Sequence, residues 1–363
     1  MPFKPISKSN AVRILIAVIV IIFIKIFAIN SSWVEKYYTT GFFPQFSRLL
    51  RIFIGWLPVS IGDILYFLAG AWLLYKIVYF FVKLFKKRYN GKIFLTGMVK
   101  IFLTAMVIYI IFNIFWGLNY NRKGIAHQLN LTIKGYDTAD LKEIQQLLIQ
   151  KVNQRKQALI NKHEVYPDNK ELFIRAYNCY RQSGRLYPFL QYRNESIKSS
   201  LYGRLGNYLG FTGYYNPFSG EAQLNTTIPR FLLPFSTCHE IAHQLGYAKE
   251  NEANFAGYLS ATSSTDTLFH YSAYLDLFLY ANRELFFIDS VSAKEAYKQL
   301  IPDVKADLDE WRKFLVRYRS VVEPYITWLY GEYLKANQQP EGMRTYNEVI
   351  ADLIAFYKRT GRI

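Results

Sequence analysis

The sequence predicts a mainly α-helical membrane protein: three apolar helices near the N-terminus, then one outer α+β domain with a small β element just before a motif-bearing helix. Three observations predict it. Apolar residues make up 51 % of the 363 positions but crowd into three stretches before position 120. Helical periodicity governs most of the remaining chain, and a short alternating stretch at 221–225 comes shortly before His239-Glu-Ile-Ala-His243. A chain of this length accommodates a membrane region and a globular domain of ordinary size.

The stretches at 14–29, 64–82 and 101–116 are interrupted only by Lys25, Lys76 and Asn113. With flanking residues each approaches the ~20 that a helix needs to cross a bilayer, giving expected spans at about 11–30, 61–83 and 93–117 in a membrane region 1–119. Lys25 and Lys100 lie near span ends, where a long side chain reaches the interface. Lys76 is deeper and is expected to line a helix contact or to pair with an acid. No Ala-x-Ala-like site follows the first stretch, which argues against a cleaved signal peptide. Lys4, Lys8 and Arg13 before the first span, and Lys83, Lys86, Lys87, Arg88 and Lys92 after the second, put both segments on the cytoplasmic side. The loop 31–62, with only Lys36, Arg48 and Arg51, falls outside, and so does everything after Asn119.

The outer domain, 120–363, has no internal repeat or low-complexity linker. Thr138 precedes a helix over 139–161 with Leu141, Ile144, Leu148 and Val152 at helical spacing, and 169–181 repeats the pattern. A β element is expected over about 197–225. Within it 211–220 is turn-rich, and 221–225 suits an edge strand able to hold a substrate backbone as an added strand. Pro229 and Pro234 bracket an apolar run, and Pro234 fits the first turn of the next helix. Further helices are expected at 268–285, 304–318, 323–334 and 347–359.

In the motif, His239 and His243 are four apart and project from one helix face, so their ring nitrogens reach one Zn2+ ion. Glu240 points elsewhere and acts as the catalytic base toward a water in the open fourth position, made acidic toward pKa ~7. This is the arrangement of a zincin, a zinc metallopeptidase built on H-E-x-x-H. Gly246 sits where a helix ends in a left-handed residue, so the chain turns back and a new helix begins near Lys249. Lys at 249 excludes a third histidine at the spacing a three-histidine site uses.

Two carboxylates remain for the third metal position, as in gluzincin-like sites. Glu250 shares a helix face with Asn254, which from there holds a ligand imidazole in place, so Glu250 is favoured. Glu252 stays as the alternative. Whichever carboxylate is not a ligand is a first-turn acid favoured by the helix dipole. An oxyanion formed at the attacked carbonyl needs a donor, and Tyr346, Arg344 and His270 are candidates by chemistry alone.

The net charge of +17 clusters beside the spans, no nucleic-acid motif appears, and attraction to anionic membrane lipid accounts for it. Cys179 and Cys238 are the only cysteines; they either pair or stay as buried thiols, and neither is expected on the metal. Three spans with few internal polar residues offer little transport pathway.

Trp116-Gly-Leu-Asn-Tyr120, Asn216-Pro-Phe-Ser-Gly-Glu-Ala-Gln-Leu-Asn225, Leu233-Pro-Phe235, 239–255, Lys335-Ala-Asn337 and Gly342-Met-Arg-Thr-Tyr346, together with the spans, resemble an uncharacterised bacterial membrane-protein family, domain of unknown function 3810. Glu250-x-x-Ala253-Asn254 is also similar to the Glu-x-x-Ala-Asp element of several membrane zinc peptidases, with Asn for Asp and a shorter gap after His243. The resemblance implies zinc-peptidase-like chemistry at the bacterial cytoplasmic (inner) membrane and no particular substrate. The expected function is therefore a membrane-anchored zinc metallopeptidase hydrolysing envelope or exported proteins or peptides. The alternative is a catalytically silent zincin-fold sensor or scaffold. The sequence does not fix an oligomeric state.

Overall fold

In the computed structural model, which describes residues 8–86, 91–133 and 135–363, the chain begins with α1 (Lys8–Ile29), a short α2 (Ser31–Trp33), a π-helical stretch (Val34–Phe42) and α3 (Phe43–Ile54). Then come α4 (Ile61–Phe85) and α5 (Gly91–Phe115). Lys4, Lys87 and Arg88, expected on the cytoplasmic side, lie outside the described residues, as does the Lys92 side chain. Among the described residues three helices are long and apolar enough to cross a membrane: Lys8–Ile29, Ile61–Phe85 and Phe94–Phe115. Ser60 starts α4 by accepting the Asp63 backbone N–H at 3.0 Å. Inside α4, Lys76 sits over the rings of Trp72 and Tyr75, at 5.5 and 5.8 Å, so its charge rests on aromatic faces of its own helix.

The segment between the first two apolar helices, for which the sequence suggests no element, is helical and tied to the rest of the chain beyond residue 119. Along α3, Ser47 and Arg51 are buried. Arg51 donates to the carbonyls of Asn194 (2.9 Å), Arg193 (3.2 Å) and Gln244 (3.3 Å), and Ser47 donates to Gln244 O at 3.2 Å. A cation on the last carbonyls of a helix satisfies groups that the helix itself leaves open.

The rest runs α6 (Gly124–Gln128), α7 (Thr138–Asn161), α8 (Asn169–Leu186), β1 (Ile197–Ser199), α9 (Gly203–Leu209), β2 (Gly213–Asn216), β3 (Glu221–Leu224), α10 (Leu233–Gln244) and α11 (Glu250–Thr262). It continues with α12 (Thr267–Ile288), α13 (Ser290–Lys298), α14 (Pro302–Tyr318), α15 (Glu323–Ala336) and α16 (Val349–Thr360). The expected helices are present within a few residues. Asp137 opens α7 with a reciprocal capping box to Asp140. The core packs α7, α8, α10, α11 and α12 around Leu148, Tyr180, Ile241, Phe255 and Phe278.

The sheet corrects one expectation. Its order is β1-β3-β2, β1 parallel and β2 antiparallel to β3. The stretch 221–225 is therefore central, and the edge beside α10 belongs to β2. The alternation misleads because the polar positions of β3 face inward to another partner: Glu221 accepts the Gly62 N–H at 2.6 Å at the start of α4, and the Gln223 amide meets the Ser60 hydroxyl at 3.1 Å.

Candidate metal centre

Pro234 opens α10 in the first turn, where no backbone donor is needed. Cys238, Ile241 and Ala242 pack into the core, leaving His239 and His243 side by side on another face. The helix then stops sharply. Gly246 has φ +89°, and a Cβ there would meet the Phe43 ring and Asn119 side chain at 3.0–3.1 Å. Tyr247 N–H closes the turn on Ala242 O at 3.2 Å. Three residues later α11 begins at Glu250, whose N–H is capped by Gln339 Oε1 at 2.9 Å.

This turn aims the Glu250 carboxylate at the two imidazoles. His239 Nε2 and His243 Nε2 are 3.1 Å apart, and Glu250 Oε2 is 3.3 Å from the first and 3.5 Å from the second. The other ring nitrogens are held from behind: His239 Nδ1 by Asn254 Oδ1 and His243 Nδ1 by Tyr247 O, both at 2.7 Å. Both partners are oxygens that only accept, so each Nδ1 carries the hydrogen and each neutral Nε2 presents a lone pair. Three acceptor atoms thus converge on one point. Glu250 Oε2 is buried and has no hydrogen-bond partner.

Such a donor set fits a cation. A tetrahedral Zn2+ with ligands at ~2.0–2.1 Å sets its ligand atoms about 3.3 Å apart, within the range seen here. In the absence of a metal, a proton takes over part of that role. Burial opposes charge on His239, but Glu250, Glu240 and Asn254 outweigh it and raise the imidazole to about 9. For Glu250, burial is likewise outweighed by His243 and His239, which hold its carboxyl well below the usual range.

The separation of α10 and α11 is set by Gly257. A Cβ at this position would lie 3.1 Å from His239 N and 3.3 Å from Cys238 C and His239 Cα, so the helices touch backbone to backbone at the first histidine. An interior helical glycine is the sequence sign of such an approach, and the sequence reading passed over it.

Glu240 lies beside the group without joining it. Its Oε2 is buried without a partner, and burial raises its carboxyl, partly offset by His239 and His243. It rests on β2, where a Cβ at Gly213 would come within 2.8 Å of its side-chain carbons. Of the two first-turn carboxylates, Glu250 faces the histidines; Glu252 turns to Lys249 at 3.9 Å and packs on Gly124.

The three oxyanion-donor candidates separate. Tyr346 pairs with Tyr330 and feels the charges of Glu250 and Glu240; burial keeps its phenol protonated. His270 belongs to another network, with Nε2 on Ser264 O at 2.7 Å and its ring edge on Tyr274. Arg344 takes no part in the group around the histidines and lies toward the surface. Cys179 and Cys238 are both buried and free. Beyond Gly257, sequence reasoning missed Tyr330, whose hydroxyl donates to Glu250 Oε1 at 2.6 Å from α15, and it gave Trp116 no place at the site, although its ring stands 6.1 Å from that of His243. No local signal marks Tyr330; Trp116 opens one of the stretches that carry the family resemblance.

No curated protein and no solved structure matches the chain. The family model described as Protein of unknown function (DUF3810) matches residues 38–354, from the π-helical stretch into α16, a range that includes His239, His243 and Glu250. The chain belongs to that family.

Proposed function

We propose that this protein is a membrane-anchored, Zn2+-dependent metallopeptidase of the bacterial cytoplasmic membrane. A region 1–119 would anchor a zincin-like domain, 120–363, on the outer face. The observation that carries the reading is the convergence of His239 Nε2, His243 Nε2 and the unpartnered Glu250 Oε2, with a second unpartnered carboxylate, Glu240, beside them.

His239, His243 and Glu250 would hold the ion, which supplies a Lewis acid and lowers the pKa of water. Asn254 and the Tyr247 carbonyl fix the imidazole tautomers. Glu240 takes the proton from the attacking water and returns it to the leaving amine, and its raised carboxyl suits both halves of that transfer. Tyr346 is the donor we assign to the oxyanion, because its protonated phenol lies beside both glutamates. Arg344 and His270 take no part. A peptide would add as a strand along the edge of β2, where Gly213 lets the backbone approach the base. The substrates are protein or peptide segments of the envelope or exported chains.

Zinc content and cleavage of an unstructured reporter should be measured for the wild type and Glu240→Gln. Wild type is expected to bind zinc and cleave, and the variant to bind zinc and lose cleavage by several orders of magnitude. Cleavage that survives the substitution refutes the mechanism. Zinc-bound wild type with no cleavage of any reporter would favour the silent sensor or scaffold.

A further inference from the structure

We propose that the outer domain is seated in the lipid bilayer through three exposed apolar faces, on α3, α9 and α15, and that α15 is at once the roof of the candidate metal centre and a lipid-contacting helix. The proposal rests on the three apolar helices crossing a membrane and is independent of hydrolysis.

Along α3 the usual amphipathic order is reversed. Ser47 and Arg51 are 1 and 5 % exposed, while Phe53 is 65 % exposed and Trp56, just beyond the helix, 75 %. A helix that faces the protein with its polar side and offers aromatics outward is suited to lipid on its outer side. It also lies beside a span: the ring of Phe46 is 4.5 Å from that of Phe115, the last residue of α5.

A second face begins at the outer end of α4. Asp63, in the first turn of that helix, accepts Leu201 N–H at 2.6 Å and its carbonyl accepts the Tyr202 hydroxyl at 2.9 Å. From there Leu201, in the turn before α9, and Leu205 and Tyr208, three apart on α9, are all exposed. Ser320 joins this face to α15, donating to Tyr208 O at 2.8 Å and accepting Glu323 N–H at 3.0 Å.

The third face is on α15 itself. Tyr333 touches the membrane helix α5 through the ring of Phe112, at 6.4 Å, and its hydroxyl meets that of Tyr120 at 3.0 Å. Leu329 and Tyr325 lie at intervals of four on the same side, 54 and 71 % exposed, with Trp328 next to them at 62 %. The stripe is therefore continuous with a surface that already meets hydrocarbon. Tyr330, stacked on Tyr333 at 5.8 Å, holds Glu250 from the same helix.

Lipid is the occupant because each face starts at the outer end of an apolar helix, and between them the faces carry Trp56 and Trp328, Tyr208 and Tyr325, and exposed Phe and Leu side chains, the mixture that partitions to the headgroup boundary. A helix in that plane sinks ~5–10 Å into the boundary.

The test uses the full chain in vesicles of phosphatidylcholine and phosphatidylglycerol. Nitroxide labels are placed by Phe53→Cys, Leu205→Cys, Leu329→Cys and, on the loop between α7 and α8, Val165→Cys, which is 81 % exposed. The unmodified chain, with Cys179 and Cys238 buried, is the blank. The first three labels should collide with oxygen more often than with a water-soluble nickel chelate, and the label at 165 should show the reverse. Labels at 205 and 329 as open to nickel as that at 165 would place these faces in water and overturn the proposal. Labels shielded from both quenchers would mean that a second copy or another protein covers them, which overturns it equally.

Discussion

Gly257→Ala tests whether the contact between α10 and α11 sets the metal group. The added Cβ would stand 3.1 Å from His239 N and 3.3 Å from two further backbone atoms. Carbon contacts relax near ~3.5–4.0 Å, so the helices must part by roughly 0.4 Å or more; no side chain can swing aside. Two terms oppose each other in stability. Alanine in a helix interior gains about 1 kcal/mol over glycine, whereas overpacking costs about 1–3 kcal/mol, and the net expectation is a loss of up to about 2 kcal/mol. Zinc binding has no compensating term. Glu250 stands on α11 and both imidazoles on α10, at 3.3 and 3.5 Å, while metal–ligand distances tolerate only about ±0.2 Å. We expect zinc affinity to fall at least about tenfold, equivalent to about 1.4 kcal/mol. Competition against a chromophoric chelator measures it, alongside thermal unfolding of the full chain with and without zinc. Gly331→Ala on α15 is the control, because its Cβ would meet only Met343 Cγ at an ordinary 3.7 Å. If Gly257→Ala raised the unfolding temperature and left zinc affinity intact, the spacing argument would be wrong.

Two other predictions concern neighbouring carboxylates. Glu250→Gln should abolish stoichiometric zinc after dialysis and Glu252→Gln should retain it, since Glu252 faces Lys249 and Gly124; elemental analysis showing the opposite pattern would reassign the third ligand. Asp352 is buried, and burial together with Glu252 raises its carboxyl from 3.8 to about 8, against smaller effects of Asn251 and Lys249, with Glu348 also raising it. A folded value above the unfolded one means the folded state binds the proton more tightly, so stability from this group is full below pH ~4 and is lost as pH rises through about 8. The unfolding temperature of Asp352→Asn should therefore gain on that of the wild type progressively from pH 5 to pH 9, as the wild type loses this contribution between its unfolded value of 3.8 and its folded value of about 8; equal pH profiles for the two proteins would contradict the assignment.

The candidate group of His239, His243 and Glu250 was legible because its geometry is local. Helical spacing alone puts His239 and His243 together, Gly246 marks the turn, and Glu250 with Asn254 comes from one more stretch of helix. Tyr330 was not legible because it reaches Glu250 across 80 positions of sequence, and the apolar residues around it in α15 do not single it out. Gly257 could have been read, since a glycine in a helix interior needs a reason.

The misreadings at the membrane boundary share a cause that goes beyond distance in sequence. Pattern reading assigns polar residues to water and apolar residues to the core, which presumes water on the outer side. Where the residues beyond 119 meet the apolar helices and the segment between them, this presumption fails in both directions. Glu221 and Gln223 face inward because the start of α4 offers a backbone donor and a hydroxyl there. Ser47 and Arg51 do the same because the end of α10 offers the Gln244 carbonyl, and Phe53 and Trp56 are left outside. The metal helix is consequently tied at its last turn to α3, and the sheet beside it to α4. Displacing either membrane-side element would leave buried polar groups unpaired, each costing about 1–3 kcal/mol. The candidate site and the membrane region are thus coupled by their buried polar contacts.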